Sequence, residues 1–215
     1  MKLRLFNYWR SSASQRVRIG LNLKGLEYEY LVVNIVKQEQ FAEAYLAKNP
    51  ISQVPTLEIT EDDGTVRSLT QSLPILEYID DRFPETPLLP RDPYLRARAR
   101  ALAEIVNSGI QPLQNLSVMK RLEELSVNAK EAFVPGFIAS GLAAYAKAAA
   151  DVAGEFSVGN SPTIADCCLI PQLGAARRFN VSLDGLQQLV AIEAACLALP
   201  AFAKAAPEQQ QDAVK

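Results

Sequence analysis

The first 83 residues alternate between strand-like and helix-like spacing of apolar positions. The stretches KLRLFNY and EYEYLVVN have the alternation and the aromatic and β-branched content of strands. Between them, residues 11–24 repeat apolar side chains at helical spacing, and residues 39–48 predict a second, short helix. The runs PTLEI and TVRSL flank TEDDG, which predicts a hairpin around an Asp-Gly turn. The segment SLPILEYIDDRF returns to helical spacing, so the predicted order is β-α-β-α-β-β-α.

This element order resembles a thioredoxin-like α/β domain. Its first half has two parallel strands joined by a helix, because parallel neighbours need a long crossover, and its second half adds an antiparallel hairpin. We therefore predict a first domain over residues 1–83. The next stretch, FPETPLLPRDP, contains four prolines, which favour a stiff and extended chain. Residues 84–92 are accordingly predicted to be a linker.

Residues 93–215 contain no strand pattern and predict an all-helical second domain. Asp92 followed by Pro93 has the cap-then-proline order of a helix start. From there an apolar stripe continues to Leu113, which predicts one long helix. The polar end PEQQQDAVK is expected to fray. The predicted fold class is α/β plus all-α, with further helices over residues 131–152, 163–178 and 186–197.

Composition and charge exclude several classes of protein. Hydrophobic residues make up 49% of the chain and charged residues 21%, so a core can be buried and wholesale disorder is excluded. The net charge of −2 argues against a nucleic-acid or anionic-membrane partner. No apolar run reaches the ~18 residues of a membrane span, and the N-terminus lacks the apolar region of a signal peptide. We therefore expect a cytoplasmic protein without a membrane partner.

The chain contains no histidine, which restricts its possible chemistry. Mechanisms built on Ser-His-Asp, on Cys-His or on a histidine-bound metal are excluded, and no metal site is predicted. The three cysteines, two of them adjacent, do not make a disulfide framework and are expected to be reduced thiols. Hydroxyls, carboxylates, cations, backbone dipoles or a bound small molecule must supply any reactivity.

Two serines, Ser11 and Ser12, stand at the start of the first predicted helix. Capping is the commonest role of a serine before an apolar-periodic run. A second role is compatible with it, because a helix N-terminus offers unpaired N–H groups and partial positive charge that can hold an anion, including a thiolate. Arg10 and Arg16 add positive charge nearby.

Two further polar positions could meet a ligand. Val54-Pro55 opens a predicted strand, and a cis bond there would expose the backbone of Val54 to a bound peptide, although a plain loop is the commoner outcome. Gln71 and Ser72 precede the third predicted helix. Ser72 is expected to cap that helix, and a second helix N-terminus beside the first would make a carboxylate site.

The long helix predicted after Pro93 contains a proline, Pro112, that should kink it. Gln111 and Asn115 are four residues apart and would share one face of that helix. They form either a solvated polar face or part of a pocket on the concave side of the kink.

A capping box is predicted where Thr163 precedes Asp166 by three residues. We assign this pair to structure, and we expect Cys167 and Cys168 to pack in the core. Arg177 lies near the end of the same helix, where it could stabilise the C-terminus or bind a substrate carboxylate.

Taken together, these motifs resemble the zeta class of glutathione transferases, a class that includes maleylacetoacetate isomerases. The resemblance covers essentially the whole chain. It rests on RSSASQRVRIGLNLKGLEYEY (class pattern S-S-C-x-x-R-V-R-I-A-L), NPISQVPTL, TQSLPILEYID, GIQPLQNLSV, SPTIADCCLIPQ and ARRFNVSL. It implies the glutathione transferase fold, a homodimer, glutathione as cofactor, a small-molecule substrate and a place in tyrosine catabolism.

The resemblance also implies roles for individual residues. Ser11 is the hydroxyl expected at the glutathione sulfur, with Ser12 beside it, and Arg10 and Arg177 are expected to receive substrate carboxylates. The residues implied to contact glutathione are Gln40, Val54, Pro55, Gln71, Ser72, Gln111 and Asn115. Among these, a cis Val54-Pro55 bond lets Val54 pair with the cysteinyl backbone, Gln71 and Ser72 hold the γ-glutamyl carboxylate, and Gln40 reaches the glycyl end.

One position departs from the class pattern, because Ala13 replaces its cysteine. We interpret that cysteine as dispensable, since a glutathione thiolate can add to a double bond by itself. Three other functions stay open: maleylpyruvate isomerase, general glutathione transferase or α-haloacid dehalogenase, and a glutathione-binding interaction module without catalysis. The absence of arginine at Leu116-Ser117 favours maleylacetoacetate as substrate.

Overall fold

The computed structural model describes residues 1–126 and 128–214, which form two compact units. The first unit comprises Met1–Leu88 together with Leu199–Lys215, and the second comprises Leu89–Ala198. The division differs at the C-terminus from the predicted domains, which placed residues 93–215 together.

A four-stranded mixed sheet forms the centre of the first unit. Its strands, β1 (Lys2–Asn7), β2 (Glu29–Val32), β3 (Thr56–Thr60) and β4 (Val66–Thr70), lie in the order β2-β1-β3-β4. Strand β1 runs parallel to β2 and antiparallel to β3, and β3 and β4 form the hairpin. The predicted α/β arrangement of the first domain is therefore confirmed.

The α-helices of the described chain are α1 (Ser12–Leu23), α2 (Glu43–Leu46), α3 (Ser72–Arg82), α4 (Pro93–Asn107), α5 (Leu116–Leu125), α6 (Ala129–Ala149), α7 (Ile164–Arg178), α8 (Gln187–Ala198) and α9 (Pro200–Ala205). Short 3₁₀ helices occupy Glu39–Phe41, Gln111–Gln114 and Pro207–Gln209. None of these helices combines the length and hydrophobicity that a bilayer crossing requires. The helix predicted over residues 39–48 is divided, because Ala42 takes an extended conformation before α2.

Helices α1 and α3 approach each other closely at Gly20. A Cβ atom at this position would lie 2.2 Å from Cδ2 of Leu76 and 3.3 Å from Cδ1 of Ile79. Val17 and Leu21 of α1 are fully buried on the same side of the first unit. This close packing fixes α1 against α3.

In the second unit, α4 begins as predicted, with the Asp92 side chain accepting from Leu95 N at 2.8 Å. It does not continue to Leu113 as a kinked helix; this prediction is wrong. Helix α4 stops at Asn107, and a separate 3₁₀ turn with Pro112 at its second position follows. Proline has no N–H to donate and its ring clashes with the preceding turn, so the helix ends instead of bending.

Helix α7 begins with the predicted capping box. Thr163 accepts from Ala165 N at 3.2 Å, and the Asp166 carboxylate accepts from Thr163 N at 2.7 Å. Cys167 and Cys168 are fully buried and unbridged, as expected. The structural roles predicted for these four residues are confirmed.

The C-terminal segment, which we define as residues 199–214, packs within the first unit and is anchored there rather than frayed as predicted. Asn22 Nδ2 of α1 donates to the Ala201 carbonyl at 3.0 Å, and Arg18 Nε donates to the Ala205 carbonyl at 3.3 Å. The prediction failed because these partners are distant in sequence and leave no local pattern.

A buried ion pair ties the end of α1 to the end of α3. Lys24 Nζ lies 2.7 Å from Asp80 Oδ1, and the two side chains are 1% and 6% exposed. Lys24 also donates to the carbonyls of Phe83 and Thr86, and Asp80 accepts from Leu88 N, each at 2.7 Å. This network holds the chain as it leaves α3, so residues 84–88 belong to the first unit.

We expect Lys24→Met to lower the free energy of unfolding by about 3–5 kcal/mol, because it leaves the Asp80 carboxylate buried without its cation. Lys2→Met is the matched control, since Lys2 pairs with Glu29 on the surface and such pairs contribute about 0–1 kcal/mol. Urea unfolding followed by circular dichroism measures both. A loss for Lys24→Met no larger than that of the control would contradict the assigned role.

Candidate active site

The junction between β1 and α1 places Ser11 as both a helix cap and a free donor. Its Oγ accepts from Ser14 N at 3.2 Å, and its own N–H donates to the Tyr8 carbonyl at 3.0 Å. A hydroxyl has one donor and two acceptor sites. Capping uses an acceptor site, and no described residue accepts from the Ser11 hydroxyl. The hydrogen is therefore available to an anion.

The first turn of α1 adds backbone donors and a buried cation to this hydroxyl. Ser12 N and Ala13 N have no backbone acceptor among the described residues, as is usual for a helix start. Arg16, one turn further on, is 1% exposed and donates from Nη1 to Ser72 Oγ at 3.2 Å. This bond places the Arg16 guanidinium at the start of α3.

The bond from Arg16 joins the start of α1 to the start of α3. Ser72 does not cap α3 as predicted, because Gln71 occupies the cap position and makes no side-chain cap bond. The first-turn amides of α3 are therefore left without a side-chain acceptor. Gln71 has φ 69° and ψ 126°, a region that costs a non-glycine residue about 1–3 kcal/mol and that often marks functional sites.

The Val54-Pro55 bond is cis, as the resemblance implied. No described residue forms a hydrogen bond with the N–H or carbonyl of Val54. The preceding carbonyl, that of Gln53, accepts from Tyr45 Oη at 2.6 Å and from Asn49 Nδ2 at 2.7 Å. These two side chains hold the turn, and the Val54 peptide groups stay free to pair with an extended ligand.

Gln40 carries a buried polar atom that has no partner. It lies in the 3₁₀ helix Glu39–Phe41, and its Oε1 forms no hydrogen bond within the described chain. An unsatisfied buried polar atom costs about 1–3 kcal/mol, so a bound molecule that satisfies it is favoured.

Arg10 is exposed and its guanidinium carbon lies 5.5 Å from the centre of the Trp9 ring. Stacking of this kind contributes about 0.5–1 kcal/mol at an exposed site and limits the directions that the arginine can take. No described carboxylate pairs with Arg10, so its charge is available to an anion.

In the second unit, Gln111 and Asn115 do not share a helical face. Gln111 begins the 3₁₀ turn, whereas Asn115 caps α5 by accepting from Ser117 N at 3.2 Å. The shared face was predicted from an unbroken helix, and Pro112 breaks it.

Arg177 makes a two-point ion pair in the second unit. Its Nη1 lies 2.6 Å from Oε1 of Glu193, and its Nη2 contacts the other carboxylate oxygen. The hydrogen bonds that Arg177 donates to Glu193 raise the pKa of Arg177. A substrate carboxylate that binds Arg177 must therefore share Arg177 with Glu193 or displace Glu193.

The sequence and fold were compared with known proteins. The family model "Glutathione S-transferase, N-terminal domain" matches residues 5–87. A zeta-class glutathione S-transferase of Euphorbia esula is 43% identical over 98% of this chain and 92% of its own length. A maleylpyruvate isomerase of Ralstonia sp is 42% identical over 98% of this chain and 99% of its own. The chain belongs to the zeta class of glutathione transferases.

Solved structures agree with this membership. Maleylacetoacetate isomerase from Anaeromyxobacter dehalogenans 2CP-1, with glutathione bound in its active site, superposes with a TM-score of 0.93. It is 51% identical, and the alignment covers 99% of this chain and 98% of that one. The same protein has also been crystallised with dicarboxyethyl glutathione and citrate in the active site. The predicted fold class and class membership are confirmed.

Four polar residues whose contacts the structure shows were not predicted from the sequence. Tyr45 and Asn49 hold the turn before Val54 by donating to the Gln53 carbonyl. The one sequence signal for these bonds is that the two residues lie 8 and 4 positions before Gln53. Gln114 and Gln172 of the second unit form a buried reciprocal amide pair, with Gln114 Nε2 2.9 Å from Gln172 Oε1. The described residues contain no cluster of acidic or sulfur ligands that could hold a metal ion.

Proposed function

We propose that this chain is a glutathione-dependent cis–trans isomerase that converts maleylacetoacetate to fumarylacetoacetate. The observation that carries the proposal is the start of α1, where the Ser11 hydroxyl and two backbone amides are free to stabilise one negatively charged sulfur. The zeta-class relatives named as isomerases support the same reaction.

The free polar groups of the first unit fit glutathione. Val54 offers an unpaired N–H and C=O to the backbone of an extended peptide. Ser72 and Gln71 stand at an uncapped helix start that suits the γ-glutamyl carboxylate. Gln40 offers its buried Oε1, an acceptor, to the amide N–H at the glycyl end. A bound tripeptide would supply the partners that Val54 and Gln40 lack. Ser72, which already accepts from Arg16, can form one more hydrogen bond.

When bound, glutathione would supply a thiolate that adds to one carbon of the cis double bond and moves the π electrons onto the neighbouring carbonyl as an enolate. Rotation about the resulting single bond and return of the electrons, which breaks the carbon–sulfur bond, would give the trans product and the original thiolate. The protein must keep that thiol ionised near neutral pH. Lowering a thiol pKa of about 8.5 by two units requires about 2.7 kcal/mol. A helix N-terminus contributes about 0.3–2 kcal/mol, and a hydroxyl donating to a charged group about 1.5–3 kcal/mol.

These magnitudes require Ser11 and the helix start together. Neither contribution alone reaches the requirement comfortably, whereas their sum does. Ser12 extends the same first turn, and its hydroxyl makes no hydrogen bond with the described residues. Arg16, one turn further along α1, adds a buried positive charge that is bonded to Ser72.

Arg10 and Arg177 are the residues that we assign to the substrate carboxylates. Arg10 is exposed and already oriented by Trp9. Arg177 presents a planar fork of donors, which suits two-point binding of a carboxylate once Glu193 yields. The relative that binds dicarboxyethyl glutathione supports a site that accepts two carboxylates beside the sulfur. In the second unit, Gln111 and Asn115 are proposed to border the same ligand.

Maleylpyruvate isomerase is the second candidate. The Ralstonia enzyme of that name is 42% identical over nearly its whole length, and both substrates are cis dicarboxylic keto acids that the same residues could bind.

General transfer of glutathione, dehalogenation of α-haloacids and binding without catalysis need no residue beyond those already described. We further propose a homodimer that acts in tyrosine catabolism, as the resemblance implies, and a cytoplasmic location, as the sequence predicts.

A substrate panel tests the function. We expect rapid isomerisation of maleylacetoacetate, slower isomerisation of maleylpyruvate, and only slow turnover of dichloroacetate, all followed by absorbance or product analysis. Omitting glutathione should abolish activity, and S-methylglutathione should not restore it, because its sulfur cannot ionise. Isomerisation that persists without glutathione would contradict the mechanism. Faster maleylpyruvate turnover would favour the second candidate, and glutathione binding without turnover would favour a binding module.

A further inference from the structure

The C-terminal segment touches the loop that carries the proposed catalytic residues. Asp212 is the point of contact, since its Oδ2 accepts from Trp9 N at 3.1 Å. Trp9 is followed directly by Arg10 and Ser11. The backbone that presents both functional side chains is therefore bonded to a residue 203 positions away in sequence.

Asp212 is itself held in place by β2. Its Oδ1 accepts from Tyr30 Oη at 2.5 Å. Burial, and next the hydrogen bond to Asp212, raise the pKa of Tyr30, so the phenol remains a donor at neutral pH. With one oxygen on Tyr30 and the other on Trp9, the carboxylate bridges the sheet and the loop.

A second bridge runs through Arg18, which is fully buried in α1. Its Nη2 donates to the Trp9 carbonyl at 2.9 Å and to the Ala205 carbonyl at 3.2 Å. Its Nη1 donates to Asn7 Oδ1 at 3.0 Å. The Trp9 N–H is thus bonded to Asp212, which belongs to the C-terminal segment. The Trp9 carbonyl is bonded to Arg18, which also contacts that segment at Ala205.

We propose that the C-terminal segment is a positioning element for the β1–α1 loop, with Asp212 as its positioning residue. The inference rests on the proposed function, since it concerns the placement of Arg10 and Ser11. Asp212 fixes Trp9, Trp9 orients Arg10 by stacking, and the same stretch of backbone sets where the Ser11 hydroxyl points. Asp212 does not touch the reacting atoms.

Three variants test the proposal. Asp212→Ala removes both bridging bonds. Asp212→Asn removes the charge but can keep both contacts, since its amide oxygen accepts from Trp9 N–H and its amide nitrogen donates to the Tyr30 oxygen. Gln211→Ala is the matched control, because Gln211 is exposed and lies in the same segment, and among the described residues its side chain bonds only to the Tyr30 carbonyl.

The deciding measurement is the pKa of the glutathione thiol in the saturated complex, followed by the ultraviolet absorbance of the thiolate. We expect Asp212→Ala to raise this pKa by about one unit. At a pH well below the thiol pKa of the parent complex, it should lower kcat/KM about tenfold, since there a unit of pKa is a tenfold change in thiolate. Asp212→Asn and Gln211→Ala should keep the parent values. If Asp212→Ala lowers only the melting temperature and leaves both quantities unchanged, the segment is merely structural and the proposal is overturned.

Two outcomes separate this proposal from the proposed function. If the parent binds glutathione but isomerises nothing, the thiol pKa still decides the role of Asp212. If the parent does not bind glutathione, the proposed function fails, and hydrogen exchange of the Ser11 amide decides instead: faster exchange in Asp212→Ala supports positioning, and unchanged exchange overturns it. Should Asp212→Ala not fold, Tyr30→Phe must produce a smaller shift in the same direction, and no shift would overturn the proposal.

Discussion

Ser11→Ala is expected to lower kcat/KM for isomerisation at least tenfold. The reason is the unused donor of the Ser11 hydroxyl, whose bond to a charged sulfur is worth about 1.5–3 kcal/mol. A loss of 1.4 kcal/mol already corresponds to about a tenfold change. Steady-state rates at saturating glutathione and varied maleylacetoacetate provide the test, measured at a pH about one unit below the thiol pKa expected for the parent complex, where thiolate limits the rate.

The same substitution also removes the cap of α1, which needs its own control. Loss of a serine cap costs about 0.5–2 kcal/mol of stability when alanine replaces it, but only a few tenths with glycine. Ser11→Gly should therefore be nearly as inactive as Ser11→Ala while remaining more stable, and Ser11→Thr, which keeps the hydroxyl, should retain most activity. Parent-like activity in both Ser11→Ala and Ser11→Gly would remove Ser11 from the mechanism.

Asp166→Ala is expected to cause the largest loss of stability in the second unit, about 3–5 kcal/mol. Its fully buried carboxylate accepts from Ser157 N at 2.8 Å, from Thr163 N at 2.7 Å and from Thr163 Oγ1 at 3.1 Å. Removing it leaves these buried donors unsatisfied, at about 1–3 kcal/mol each. Urea unfolding followed by far-ultraviolet circular dichroism measures the loss.

Asp92→Ala is the matched control for this prediction. Asp92 caps α4 with one bond, to Leu95 N at 2.8 Å, and it is exposed. An exposed cap contributes about 1 kcal/mol, so this variant should unfold only slightly earlier than the parent. Equal losses in Asp92→Ala and Asp166→Ala would show that burial of the Asp166 carboxylate adds nothing to an ordinary cap.

Elements governed by neighbouring residues were predictable from the sequence. The starts of α1, α4 and α7 follow from Ser11, Asp92 and Thr163, each of which caps its helix through an amide two or three residues away. The hairpin of β3 and β4 likewise follows from a local turn. Such features need no knowledge of what packs against them.

Elements governed by distant partners were not predictable. The polar C-terminal segment predicts a frayed end. In the structure, however, Asp212 and Ala205 accept hydrogen bonds from Trp9 and Arg18, near the other end of the chain. After α4 the sequence predicts a kinked helix, because an apolar stripe continues past Asn107. In the structure the helix ends at Asn107. The spacing of apolar residues within one segment predicts neither a contact between residues 203 positions apart nor whether a helix kinks or ends.

The site was predictable in part for the same reason. Recurring motifs in the sequence predict Ser11 and Val54 as site residues, and the cis bond expected after Val54 is present. What the sequence did not reveal is how each group is engaged: Ser72 accepts from Arg16 instead of capping, and Arg177 is paired with Glu193. Side-chain partners across elements depend on the assembled fold.

The central claim is that the start of α1 keeps the glutathione sulfur negatively charged, and a thiol titration of the parent complex tests it most directly. With glutathione saturating the protein, thiolate absorbance across pH should show a pKa about two units below the usual value of about 8.5. A saturated complex whose thiol titrates at the value of free glutathione would contradict the account.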